Sequence, residues 1–429
     1  MLLSLPDLLI LVAVVLPCWY VYRRSVRHGR VEVNHVGTFT FGFLFYWITP
    51  LAVRIYAAKL DFPLASVWAS LFRERLIVPY ALSCISLYLC FVLGDSLGLR
   101  LFRPPDATPA PKVPRLALSF AAVAGCLLLL YTAFAFRGAL FRHATPTDLA
   151  AQAARGAVTT CVILLGVVCI LLTIDRPEIP WTKRILGGYF LVFIAGCAMM
   201  LWLGSRLYVA SFLVMFAIYQ SCFRQRFKLT PVIAGGIVLA LFFGAVGMWR
   251  EEGDLTGALF NVVEEPMLNS LSLVHHLRYK GISWLNRPDQ LESDFLNLVP
   301  SVLLPNKFAI LKKPDAYRPL GGLNSFVSFD LNLGMIGSGA FLFLWPMMFR
   351  YFRSRSSSTL SATMYVMCSG WLAFTFFRDP FSISLVKAIV QDSILMPALL
   401  VAFGWLLSAA CSPSPDAGAL FPEPRMEPL

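Results

Sequence analysis

The chain is divided into apolar runs long enough to cross a bilayer, and no other feature restricts its fold so strongly. A hydrocarbon core ~30 Å thick needs roughly 20 apolar residues in a helix. Residues 116–136, 158–174 and 231–249 are clear runs of this kind. In lipid every backbone amide must be paired within the protein, so such runs read as helices. Composition agrees: 58% of the 429 residues are hydrophobic and 14% are charged, whereas a soluble globular chain has about 25% charged residues.

Eleven spans are predicted, at about 4–22, 38–56, 76–99, 116–136, 158–174, 185–205, 206–223, 231–249, 332–351, 359–377 and 385–407. The expected fold is all-α, a polytopic transmembrane bundle. Residues 1–249 hold the first eight spans, 250–331 form one large outer loop, 332–407 hold the last three, and 408–429 form a disordered inner tail. The first run lacks a basic segment before it and carries RRSVRHGR (Arg23–Arg30) after it. It therefore reads as a retained helix with its N-terminus outside, not a cleaved signal.

That orientation sorts the charges. The inner loops hold Arg23, Arg24, Arg27, Arg30, Arg100, Arg103, Lys112, Arg115, Arg176, Lys183, Arg184, Arg224, Arg226, Lys228, Arg350, Arg353, Arg355 and Arg425, which is 18 of the 36 Lys and Arg. Cytoplasmic loops of membrane proteins carry this bias. The net charge of +12 is thus an orientation signal, reinforced by anionic lipid headgroups, and calls for no nucleic-acid partner. The ten cysteines fall in or near apolar spans without metal-type spacing and read as small buried apolar residues.

The polar residues concentrate in one place. Residues 250–331 carry eight Lys/Arg and ten Asp/Glu, and ordered loops of this length are usually functional. Glu264-Glu265-Pro266 reads as a helix start, with acids at the positive end of the dipole and proline in the first turn. Met267, Leu271 and Val274 follow at helical spacing, so an amphipathic helix is expected on the membrane surface or against the bundle. His275 shares a face with Arg278, and His276 with Lys280. The second half of the loop, rich in Pro and Gly, is expected to be non-helical and to cap a cavity open to the outside. No metal site is predicted: His275 and His276 are adjacent and point to different faces, and Glu292-x-Asp294 is explained by a solvated loop.

Several arginines stand at predicted outer helix ends: Arg54, Arg206 in Gly204-Ser205-Arg206, Arg250, and Arg378 in FFRDP. Headgroup snorkelling accounts for any one alone. Together they run against the positive-inside bias, and guanidinium forks suit phosphate oxygens. An anionic, lipid-linked substrate at the outer leaflet is the expectation.

At these residues the chain resembles the bacterial O-antigen and oligosaccharide repeat-unit polymerases, the Wzy-type membrane glycosyltransferases. The likeness covers the layout of many helices with one late periplasmic loop. It is sharper in GSR at a helix start, in PSVLLPNKFAILKKP, in LGGLNSFVSFDLNLGMIG (residues 320–337), and in FFRDP. Many relatives have a glutamate shortly before the Asn-x-Gly, where this chain has Ser328 and Asp330. The resemblance implies transfer of a growing glycan from undecaprenyl pyrophosphate to another undecaprenyl-pyrophosphate-linked repeat unit, at the periplasmic face of the bacterial inner membrane. It implies no cofactor. The N-terminus would be periplasmic, the C-terminus cytoplasmic, and a chain-length regulator would be a further partner. Arg206 first, then Arg250, Arg278, Arg318 and Arg378, would hold the pyrophosphate. His275, His276, Asp379 and Asp330 are candidates for receiving or orienting the acceptor hydroxyl, although a loop histidine is more often structural. Two rivals stay open: a ligase that uses the same donor on lipid A core, and a flippase or transporter. Asp95, Lys387 and Asp392, in or near spans, keep the transport reading in view.

Overall fold

The computed structural model describes residues 4–52, 74–103, 113, 115–140, 149–185, 187–238, 258–299, 304, 306 and 322–411. In chain order, α1 is Leu5–Ser25, capped by Ser4, whose side chain accepts from the Asp7 amide. A hairpin follows, with β1 Val26–Arg27 and β2 Arg30–Val31. Its two turn residues, His28 and Gly29, both have positive φ, which a tight two-residue hairpin turn requires. The Asn34 side chain caps α2, His35–Gly42, accepting from the amides of Val36 and Gly37. This helix continues through a π-helical stretch, Phe43–Ile48. Then come α3 Glu74–Leu101, α4 Arg115–Ala135, α5 Leu149–Asp175, α6 Gly188–Trp202 and α7 Arg206–Tyr219. After α7 lie β3, Phe227–Lys228, which pairs with β2, and α8, Leu229–Val238. The remainder are α9 Ala258–Tyr279, α10 Asp289–Phe295, α11 Ser325–Ser354, α12 Thr359–Trp371, the single turn α13 Thr375–Arg378, and a π-helical stretch Ser382–Leu395 that leads into α14, Met396–Cys411.

Among the described residues helix occurs within each of the eleven predicted spans, but seven helices there are long and apolar enough to cross a membrane: Leu5–Ser25, Leu76–Leu101, Leu118–Ala135, Ala154–Asp175, Arg206–Arg224, Ser325–Ser354 and Ser382–Ala410. Gly188–Trp202 and Leu229–Val238 are shorter apolar helices. Phe120, Leu127, Leu130, Tyr131 and Phe134 on α4, with Leu399, Trp405 and Leu406 on α14, are exposed. Soluble monomers rarely present so much contiguous apolar surface. By contrast α12 is central: residues 362–371 are all buried.

The tightest helix pair is α3 with α11. A Cβ on Gly94 would lie 1.8 Å from the Phe343 carbonyl oxygen, and one on Gly98 would lie 3.1 Å from Met347 Cα. Gly94-x-x-x-Gly98 is therefore a small-residue face that lets two backbones approach. Partway along, α11 breaks at Gly334, with φ 64° and ψ −177°. A Cβ there would meet the Leu285 backbone at 2.6 Å. The amides freed by the break are satisfied from outside: Met335 donates to the Ser283 carbonyl and Ile336 to that of Trp284. The glycine of the Asn-x-Gly motif is thus required both for its backbone angle and for this close approach.

The predicted inner segments gather at one end of the bundle. The β1–β2–β3 sheet joins the ends of α1 and α7, and Arg226 and Arg353 both pair with Glu32 there, at 2.8 and 2.6 Å. Arg224 bonds the Pro177 carbonyl, and Phe102 stacks edge-on to Tyr351. Beside this basic end Asp95 is fully buried and committed to several donors. Arg350 Nε lies 2.7 Å away, His35 Nε2 3.0 Å and Tyr20 Oη 2.7 Å.

Four expectations are corrected. Residues 149–157, between the predicted fourth and fifth spans, are helix, since α5 starts at Leu149. Residues 325–331 belong to α11, not to the loop, because Asn324 caps the helix there. Glu264-Glu265-Pro266 is not a helix start: α9 begins at Ala258 and carries Pro266 inside it. Burial of Met267, Leu273, Val274 and Leu277 holds this helix together, and tertiary packing commonly outweighs one lost amide. Among the cysteines Cys18 is exposed, while Cys84, Cys161, Cys169, Cys197 and Cys368 are buried. The expected tail, 408–429, lies outside the described residues from 412 onward.

Candidate functional site

Opposite the basic end, three helix ends bring charge together. Leu203–Ser205 reverses the chain between α6 and α7, with Gly204 at φ 79° and the Ser205 amide donating to the Met200 carbonyl at 2.7 Å. This glycine-terminated stop leaves Arg206 as the first residue of α7. On the far side of the sequence, α13 ends at Arg378, directly before Asp379. Between them stands Glu265 of α9. Its Oε2 is 3.4 Å from Arg206 Nη2, and its Oε1 pairs with Arg378 Nε. Arg378 Nη1 also donates to Asp379 Oδ1 at 3.0 Å. Side-chain exposures of 22% for Arg206, 31% for Arg378 and 15% for Glu265 make this a half-buried site that a ligand can reach. Asp379 lies deeper. Burial pushes its carboxyl up from the usual aspartate range, Arg378 opposes that shift, and Glu265 adds to it.

The floor of the site is the segment from Gly322 to Ser325. Asn269 Nδ2 donates to the Arg378 carbonyl at 2.9 Å, and so does the Leu323 amide at 3.0 Å. The Asn324 amide donates to Ser272 Oγ, and Trp47 Nε1 to Ser325 Oγ, both at 3.0 Å. Tyr46 is buried within electrostatic reach of Glu265, Arg378, Asp379 and Arg206. Near the arginines the buried Tyr46 Oη, Asn269 Oδ1 and Thr375 Oγ1 have no hydrogen-bond partner among the described residues. Each such atom costs about 1–3 kcal/mol, which a polar ligand could offset.

A second polar cluster lies along the same helix. Glu265, Asn269, Ser272 and His276 fall at i, i+4, i+7 and i+11 on α9, within an arc of ~60° and over about 16 Å. All four bond inward. His276 Nε2 is 2.7 Å from Asp330 Oδ2, and Asp330 Oδ1 also accepts from the Ser283 amide at 2.9 Å. Asn286 Nδ2 donates to the Asp330 carbonyl. Asp330 therefore pins the loop after α9 to the broken helix α11.

The predicted site residues divide accordingly. Arg206, Arg378 and Asp379 meet. His276 and Asp330 form their own buried pair, away from the arginines. His275 is exposed, its ring 4.6 Å from that of Tyr279, and Arg278 lies over the same ring at 5.6 Å. Arg250 and Arg318, like Arg54, lie outside the described residues. Sequence reasoning passed over Glu265 as a ligand of the arginines. The available signal was the spacing of 4, 3 and 4 between polar residues on α9.

Fold and site together define a class: an all-α bundle, with seven helices among the described residues long and apolar enough to cross a membrane, that carries a half-buried arginine–carboxylate site at one end. The chain matches no protein-family model, no curated protein and no solved structure.

Proposed function

We propose that the chain is a polymerase of lipid-linked oligosaccharide repeat units in the bacterial inner membrane. It would cross eleven times, with the basic end cytoplasmic, the N-terminus periplasmic and residues 250–324 forming a periplasmic loop. The growing glycan leaves undecaprenyl pyrophosphate and joins the terminal sugar of an incoming undecaprenyl-pyrophosphate-linked unit. One observation carries this reading: Arg206 and Arg378, from distant parts of the chain, flank a single carboxylate at the end away from the basic cluster. Two guanidinium forks facing one anion suit the leaving pyrophosphate. Fixed cations in a dry site stabilise its developing charge by on the order of a few kcal/mol each. Residues of the GSR, GLNS and FFRDP stretches all contribute to that site, which supports the family resemblance.

The test is to incubate the purified protein with an undecaprenyl-pyrophosphate oligosaccharide. A ladder of longer products is expected, and no products beyond the input would defeat the reading. Lipid A core offered as a competing acceptor separates the ligase: sole use of core would transfer the assignment. The transport rival rests on Asp95, Lys387 and Asp392; of these, Asp95 is already occupied by His35, Arg350 and Tyr20, which favours a structural clamp at that position.

A further inference from the structure

Glu265 is an unusual resident for a pyrophosphate site, because an acid there repels the ligand that the arginines attract. Its contacts give a reason. The carboxylate reaches Arg206 through one oxygen and Arg378 through the other, so it spans the two cations as a phosphate group would. It stands on helix α9, one turn before Asn269, whose buried Oδ1 has no partner among the described residues, as is also true of the buried Tyr46 hydroxyl. Asp379, the other acid, is 6% exposed and held by Arg378 at 3.0 Å, too enclosed to meet an acceptor first.

Resting on the polymerase reading, we infer that Glu265 occupies the phosphate seat until a lipid diphosphate displaces it, and then serves as the base for the acceptor hydroxyl. While both arginines hold it, each carboxylate oxygen is engaged by a guanidinium. Once the diphosphate takes the arginines, those oxygens are released towards the acceptor hydroxyl. Donor arrival thereby prepares the base. In the transfer step the acceptor O–H bond breaks and its proton passes to a Glu265 carboxylate oxygen. The acceptor oxygen bonds to the anomeric carbon of the donor sugar. The bond from that carbon to the diphosphate oxygen breaks, and its electron pair leaves on the diphosphate, beside Arg206 and Arg378. Restraining the base until the donor is seated also disfavours attack by stray water on a half-filled site.

The experiment compares wild type, Glu265→Gln and Glu265→Asp as full-length proteins in lipid nanodiscs. It measures binding of undecaprenyl pyrophosphate and the rate of chain extension across pH. Glu265→Gln is expected to bind undecaprenyl pyrophosphate as tightly as wild type or more so, because the competing anion is gone. Its extension rate should fall roughly 100-fold or more, without the wild-type loss of rate at low pH. Glu265→Asp should keep binding and recover part of the rate. Extension by Glu265→Gln at the wild-type rate would overturn the inference. So would parallel loss of binding and turnover in a folded Glu265→Gln protein, which would make Glu265 a strut. A wild-type protein that neither binds the diphosphate nor extends chains would instead remove the polymerase reading itself.

Discussion

In the proposed reaction Arg206 and Arg378 act through their shape as much as their charge. A planar fork can grip two phosphate oxygens at once, whereas an ammonium is a point charge. Arg206→Ala should lower chain extension by on the order of 100- to 1,000-fold while membrane insertion is kept. Arg206→Lys should fail nearly as badly if bidentate contact is required. Glycan of wild-type length from either variant would contradict this. A different residue sets the acid limit of the fold. Burial pushes the Glu32 carboxyl up, but Arg353, Asn34 and Arg226 together outweigh that effect and hold it at about 2, against an ordinary 4.5. Because the folded value lies below the unfolded one, this contribution is complete above about pH 5 and is lost as pH falls towards 2. The difference corresponds to roughly 3 kcal/mol. Glu32→Gln should therefore lower the thermal unfolding midpoint at pH 7 and narrow its gap from wild type at pH 3. Equal midpoints at pH 7 would show that the cluster does not stabilise the protein.

At the scale of elements, glycine decides where helices touch and where they break. Gly94 faces the Phe343 carbonyl so closely that α3 and α11 must separate to admit even a methyl group. Gly334 joins a backbone angle reserved for glycine to a 2.6 Å approach by the Leu285 backbone. Gly94→Ala and Gly334→Ala should each destabilise the protein by about 2–3 kcal/mol or more. Gly138→Ala, where nothing lies within 4 Å, should be nearly neutral. Unfolding in detergent checks the ranking, and a Gly138→Ala effect as large as the others would contradict it. The Gly334 variant should also release the loop bearing Ser283 and Trp284, which limited proteolysis would detect. The polar stripe of α9 belongs to the same scale. It is one helix face at a spacing of 4, 3 and 4 residues, with the arginine site at one end and the His276–Asp330 pair at the other.

For the whole molecule, the alternation of basic and mixed-charge ends is the organising fact. The C-terminal ends of α1, α3, α5, α7 and α11 lie with the N-terminal ends of α2 and α12, tied by Glu32, Asp95 and the small sheet. If that end is cytoplasmic, Lys280→Cys should react with a membrane-impermeant maleimide added from the periplasmic side, in a chain whose native cysteines are replaced by alanine. Arg355→Cys should react only after the inner membrane is opened. The reverse pattern would invert the orientation. Much of this was legible without coordinates. Apolar length is a local property, because each backbone amide of a helix finds its partner four residues away, and so the helix positions follow from the chain alone. The grouping of Arg23–Arg30 with Arg224, Arg226 and Arg353 also followed, since alternation of direction leaves each loop one of two sides. Arg206 and Arg378 were legible as helix-end arginines because charge at an apolar helix end is costly unless it is used. Their meeting at Glu265 was not legible, nor was the pairing of His276 with Asp330 instead of with the arginines. Those contacts join residues far apart in sequence, and only the packing of α7, α9, α11 and α13 sets which side chains fall within 4 Å. The sequence determined that this is an apolar helical bundle with charge sorted to its ends. Tertiary structure decided which of those charges form one site, because helix rotation and close glycine-mediated packing are collective properties that no local pattern encodes.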